Sequence, residues 1–166
     1  MPTALVTGGA IRLGRSVALH LAGRGYNIAL QYCSSRESAK QTAKEVRNFD
    51  VQCKTYHADF TDFNSILLLM DQVLADFNST DLLINSAANF IQKKIEETSN
   101  SELLDTININ LMAPFILMRD FKKKVNNGLI INILDERILR RVSTFGAYSV
   151  SKSALAHLTE LSAVSW

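Results

Sequence analysis

Cysteine occurs only twice, as Cys33 and Cys53, and the two form no CxxC pair. That excludes a disulfide framework and fits a reducing, cytoplasmic setting. The three histidines, His20, His57 and His157, lie far apart without metal-ligand spacing, so no metal site is expected. The net charge of +2 gives no reason to expect nucleic acid or an anionic membrane as partner. One short basic run, Lys122-Lys123-Lys124, reads as the solvated end of a helix. No apolar run is long enough to span a bilayer. Met1 to Thr7 passes straight into a strand-like stretch, without the basic start of a signal peptide. Repeats, low-complexity stretches and linkers are also absent. What is present is an ordinary globular balance, 47% hydrophobic and 20% charged over 166 residues. One domain over residues 1–166, with room for a sizeable core, is the expectation.

Short apolar runs alternate with helical periodicity. Strands are expected at Ala4–Val6, Asn27–Tyr32, Val51–Tyr56, Leu82–Ile84 and Leu129–Leu134. Helices are expected at Leu13–Leu21, Ser35–Phe49 (with Ser35 as N-cap), Asn64–Phe77, Ser101–Val125 and Tyr148 onward. Pro114 falls inside the fourth helix and is expected to kink it. Strand-helix alternation with nearly continuous apolar strands predicts an α/β fold: a Rossmann-like, doubly wound parallel sheet buried on both faces. Ligands bind such sheets beyond the carboxyl ends of the strands.

Thr7-Gly8-Gly9-Ala10-Ile11-Arg12-Leu13-Gly14 joins the first strand to the first helix. Gly8 permits a tight turn and Gly14 close packing of helix on sheet. The helix N-terminus then offers free N–H groups to a diphosphate. The usual GxGxxG spacing is missing, and Arg12 stands where a small residue is expected. The second strand ends in Tyr32-Cys33-Ser34-Ser35-Arg36, with no acid before Glu37. A carboxylate there would bind the ribose of NAD and repel a 2′-phosphate. Two hydroxyls and a guanidinium suit that phosphate instead, so NADP(H) is the expected cofactor. An ordinary polar loop before a helix would look the same.

Tyr148 and Lys152 stand at i and i+4, on one helical face. An ammonium near a phenol favours proton exchange, although the pair alone is common on plain surface helices. Together with the glycine turn, it resembles the short-chain dehydrogenase/reductase family along essentially the whole chain. Thr7, Gly8 and Gly14 match that family's cofactor turn, and Asp59 the acid near the adenine. Asn85-Ser86-Ala87-Ala88 is similar to its Asn-Asn-Ala-Gly strand end, with Ser86 and Ala88 as departures. The resemblance makes Asn110 the support of a water relay to the lysine. It makes Tyr148 and Lys152 the active pair, with Lys152 also holding the nicotinamide ribose.

Thirteen residues before the tyrosine the family usually has serine, and here stands Asp135. Within the family this resembles the pteridine reductases and dihydromonapterin reductases. Arg12 in the run Arg12-Leu13-Gly14-Arg15-Ser16, the strand Ile130–Asp135 and the aromatic Phe90 point the same way. Ala88, where those enzymes often have serine, does not. The resemblance implies an NADPH-dependent reductase of pterins or dihydropterins. Arg12, Phe90, Asp135 and Tyr148 would meet the substrate, and Tyr148 and Asp135 would supply protons. Alternative readings are Phe90 as core, Arg12 as surface and Asp135 as a turn cap. A carbonyl or 3-ketoacyl reductase and a non-catalytic nucleotide-binding fragment remain alternatives for the whole. The family continues with more strands and a substrate loop, so the sequence reads as truncated after the Lys152 helix. It also implies a homo-oligomer, with Leu103, Leu111, Phe115, Leu155 and Leu158 offering apolar area, though some of them must face their own sheet.

Overall fold

The computed structural model describes residues 1–77, 79–140 and 142–166. Five parallel strands form one sheet: β1 Thr3–Val6, β2 Asn27–Tyr32, β3 Cys53–His57, β4 Leu82–Asn85 and β5 Leu129–Asn132. Their order is β3-β2-β1-β4-β5. The helices between them are α1 Arg12–Ala22, α2 Arg36–Arg47, α3 Phe63–Asp76, α4 Asn100–Ile107 and α5 Ala113–Lys124, with α6 Gly146–Ser165 last. The expected doubly wound parallel sheet is therefore the observed one. β1 is central, and successive strands are added to its two sides, which places the topological switch between β1 and β4.

Strand alternation divides the core. Leu5 and Leu83 face α3 and α5, against Ile66, Leu69, Met70, Ile116 and Leu117. Val6, Ile28, Leu30 and Ile84 face α1 and α2, whose Ala18, Ala22, Ala39 and Ala43 let those helices approach closely. Each fully buried leucine or isoleucine contributes roughly 1.5–3 kcal/mol. The layers thus fix the strand ends from which the cavity described below is built.

Three expectations need correction. The stretch 101–125 is not one α-helix. Asn108–Met112 forms a π turn between α4 and α5. Pro114 has no N–H for the carbonyl four residues back, and it lies in the first turn of α5, just beyond the widened turn. Ser35 occupies the N-cap of α2, but its side chain makes no cap hydrogen bond. β5 is not buried on both faces: Leu129 is 60% and Ile131 40% exposed, because no described element covers that part of the sheet beside α1. Of the apolar residues expected at a partner, Leu155 and Leu158 are the ones that face their own core, whereas Leu103 and Phe115 are exposed.

Candidate active site

The carboxyl ends of β1, β2, β4 and β5 surround a cavity of about 660 Å³. Its first wall is backbone. Gly8 adopts φ +63°, and a Cβ there would meet the Ala87 Cα at 2.9 Å. A Cβ on Gly14 would stand 2.2 Å from the Gly8 carbonyl oxygen, so no other residue fits. The N-cap of α1, Ile11, contributes no capping side chain, and its first turn has no acid. The N–H groups of that turn are left free to receive an anion. Arg12 opens α1 with φ +51°, a left-handed backbone that side-chain-bearing residues adopt at a cost. That conformation explains why a small residue is the expectation at its position.

Two buried side chains hold this wall. Thr7 Oγ1 accepts from the N–H groups of Ser86 and Ala87, both at 3.0 Å, tying the turn to the end of β4. Gln31 accepts from the Gly8 N–H at 2.8 Å and donates to the Ala58 carbonyl at 2.7 Å, tying it to the end of β3. Sequence reasoning missed Gln31. Its signal was a buried amide within an apolar strand, where a polar group needs partners. Leu13, Tyr32, Ser34, Ser35 and Asp59 line the same cavity. Asp59 accepts from the N–H and hydroxyl of Thr61 at 2.9 and 2.8 Å.

The second wall is made of side chains. α6 buries one face, which carries Tyr148, Ser151, Lys152 and Leu155. The Tyr148 hydroxyl donates to Asp135 Oδ2 at 3.0 Å. Lys152 Nζ donates to the Ile133 carbonyl at 2.8 Å. An ammonium has three N–H groups, so two are left for a ligand. Burial pushes the Lys152 amine down to about 8, against a smaller upward pull from Asp135. Burial and the Asp135 carboxylate together push the Tyr148 phenol up to about 12. Burial also raises Asp135, but the Arg137 N–H, the Tyr148 hydroxyl and the Arg137 guanidinium outweigh it and leave the carboxyl below its ordinary range. At neutral pH the phenol therefore keeps its proton and Asp135 is charged.

Asp135 also accepts from the Arg137 N–H and caps the single turn Glu136–Ile138. The capping and cavity readings of this residue hold together. The Phe90 ring stands edge-on to Tyr148, with centroids 4.8 Å apart, and 5.0 Å from Phe145. Phe90 is 51% exposed on the cavity wall, so it is not core. Arg137 and Phe145 were not anticipated, since nothing in their spacing marks them.

Three expected site residues are not on the cavity wall. Asn85 is buried in the sheet and donates to Asn132 Oδ1 at 2.8 Å rather than facing the cavity. The Arg36 side chain, at the first residue of α2, is exposed and is not part of the cavity wall. Asn110 is buried in the π turn, where its side chain bonds to Asn89 and Ser151. It accepts from the Asn89 N–H at 2.7 Å and donates to the Asn89 carbonyl at 2.9 Å and to Ser151 at 3.0 Å. It thereby pins the loop that carries Phe90 to α6. Among the described residues no three His, Cys, Asp or Glu side chains converge, and no helix is long and apolar enough to cross a membrane.

A backbone anion cradle at the switch point, with a tyrosine and lysine opposite it, defines a class of nucleotide-dependent oxidoreductase folds. The chain matches the short chain dehydrogenase family over residues 2–166 and belongs to it. It is 31% identical over 134 residues to the 3-oxoacyl-[acyl-carrier-protein] reductase FabG of Staphylococcus aureus (strain Mu50), covering 79% of this chain and 54% of that protein. The chain thus spans about half the length of that relative. A short chain dehydrogenase from Burkholderia cenocepacia J2315 in complex with NADP superposes with a TM-score of 0.92 at 25% identity, over 96% of this chain and 66% of that one. An NAD+-bound xylitol dehydrogenase superposes with a TM-score of 0.89 at 28% identity, over 99% and 64%.

Proposed function

We propose that this chain is the cofactor-binding and catalytic portion of an NADPH-dependent reductase of pterins or dihydropterins. The observation that carries the reading is Asp135, a charged carboxylate 3.0 Å from the Tyr148 hydroxyl and facing the same cavity as Phe90. A ketone develops negative charge on oxygen during reduction, and a carboxylate beside it is a poor partner. A pterin presents ring nitrogens and a flat face, which suit an acceptor, a proton donor and an aromatic wall.

The free N–H groups at the α1 start fit a diphosphate, and Ser34 and Ser35 fit a 2′-phosphate. None of the residues that close β2 and lead into α2, Tyr32 to Arg36, is acidic, which favours NADPH over NADH. Bound dinucleotide would supply a hydride from its nicotinamide. Lys152 would hold the nicotinamide ribose with its two remaining N–H groups, and Arg12 would reach toward the diphosphate. Tyr148, protonated at neutral pH, supplies the proton. Asp135, being charged, orients that hydroxyl and accepts from the substrate, so proton supply narrows to the tyrosine. The exposed Leu103 and Phe115 support self-association through α4 and α5, which light scattering would measure as a dimer or larger species.

A second reading, a 3-oxoacyl reductase, is favoured by the 31% identity to the staphylococcal enzyme. Following NADPH oxidation with dihydrobiopterin beside an acetoacetyl thioester separates the two. The pterin reading expects turnover of the dihydropterin only. Asp135→Ala is expected to remove most of that turnover, about 100-fold or more, with NADPH affinity nearly intact. Wild-type turnover in Asp135→Ala, or preference for the thioester, overturns the reading.

A further inference from the structure

Arg137 is the charged residue of this corner that the proposed reaction leaves without a role. It lies in the turn Glu136–Ile138, two residues after Asp135. Its guanidinium stands 4.4 Å from the Phe145 ring centroid and 5.2 Å from that of Phe90. Two aromatic rings thus hold one cation, an arrangement that fixes a planar guanidinium better than a surface ion pair does. From there Nη1 donates to both oxygens of Asp135, at 3.0 and 3.1 Å. The Arg137 N–H adds a bond to Oδ1 at 2.9 Å, and Tyr148 one to Oδ2 at 3.0 Å. Other charged groups face this carboxylate. Lys152 does so from α6, and Arg12 and Asp105 line the same cavity from α1 and α4.

We propose that Arg137 is the positioning residue of this corner: pinned on Phe145 and Phe90, it fixes the Asp135 carboxylate against Tyr148 as a hydrogen-bond acceptor and so selects a flat heteroaromatic substrate bearing N–H donors over a ketone. The substrate half of this statement rests on the pterin reading above, and the positioning half does not. A carboxylate that receives a cation and a backbone N–H holds a proton weakly. It accepts from a ring N–H and has nothing to donate to a ketone oxygen. Removing the cation leaves the same carboxyl half-buried beside Phe90, with a greater hold on its proton and no fixed direction.

The test compares wild type with Arg137→Met and Arg137→Lys in protein labelled with carboxyl-¹³C aspartate, assigning the Asp135 signal through Asp135→Asn. The Asp135 midpoint is expected to rise by about one pH unit in Arg137→Met and to return part of the way in Arg137→Lys. NADPH affinity and melting temperature in Arg137→Met serve as controls for a merely structural effect and are expected to change little. Dihydrobiopterin binding to the NADPH complex is expected to weaken about tenfold in Arg137→Met. If Arg137→Met does not fold, Arg137→Gln gives the same readout. An unmoved Asp135 midpoint overturns the positioning role. A moved midpoint with unchanged dihydrobiopterin affinity overturns the selectivity. A moved midpoint in Arg137→Met, together with a wild type that binds no dihydropterin, removes the pterin reading and leaves the positioning role standing.

Discussion

The two walls of the cavity are built from different materials. The β1–α1 turn presents backbone N–H groups, held from behind by Thr7 and Gln31. The α6 wall presents side chains, in which Asp135, Arg137, Tyr148 and Phe90 hold one another. A backbone wall tolerates almost no added volume, because every atom it displaces is main chain. A side-chain wall tolerates volume changes but is sensitive to charge, because its geometry is the sum of hydrogen bonds among ionisable groups. The same contrast separates their chemistry. The first wall fits a diphosphate whatever the reaction, and in the proposed reaction the second sets which proton moves.

Gly14→Ala should break the first wall with the largest effect. The new methyl would meet the Gly8 carbonyl at 2.2 Å. NADPH affinity in a fluorescence titration is expected to fall by about 100-fold or more, roughly 3 kcal/mol. An affinity within threefold of wild type would contradict the cradle.

Lys152→Met should break the second wall while strengthening the fold. The buried amine titrates near 8 rather than at its usual 10.5, so its charged form costs stability below about 8. The cost fades as pH rises from about 8 to 10.5, where the folded chain releases its proton before the unfolded chain does. Methionine removes the charge and loses the bond to Ile133. A net gain on the order of 2 kcal/mol at pH 7 is expected in urea unfolding, with turnover lost. The gap to wild type should narrow by pH 10. A gap independent of pH would contradict the assignment.

Arg12→Gly sharpens the comparison, since Arg12 belongs to both kinds of wall. Glycine relieves the φ of +51°, so melting should hold or rise, by up to about 1 kcal/mol. Losing the guanidinium should weaken NADPH by about tenfold. Stability falling alongside affinity would show that the side chain, not the backbone, matters there.

Arg36→Glu should have the smallest effect. Its side chain is exposed and off the cavity wall, unlike Ser34 and Ser35. Less than about a threefold change in the NADPH-to-NADH affinity ratio is expected from a screened surface charge. A tenfold change would return Arg36 to the phosphate site.

The sequence by itself determined the layers and the glycine turn of the first wall, though not the Gln31 that holds it. Apolar runs of strand length alternating with helical spacing are local patterns, and parallel strands with right-handed crossovers leave few topologies. The glycine turn was equally legible, because Gly8, Arg12 and Gly14 act through their own backbone within one loop. Tyr148 and Lys152 shared a helical face by spacing alone. Tertiary structure decided what depends on chain segments meeting. Asn110, far from Asn89 in sequence, anchors the Phe90 loop. Asn85 turns into the sheet because Asn132 lies beside it across the β4–β5 pairing. The rings on which the Arg137 guanidinium lies, Phe90 from the loop after β4 and Phe145, come together only in the folded chain. A side chain's partners across the fold are set by packing, and no local pattern carries that information.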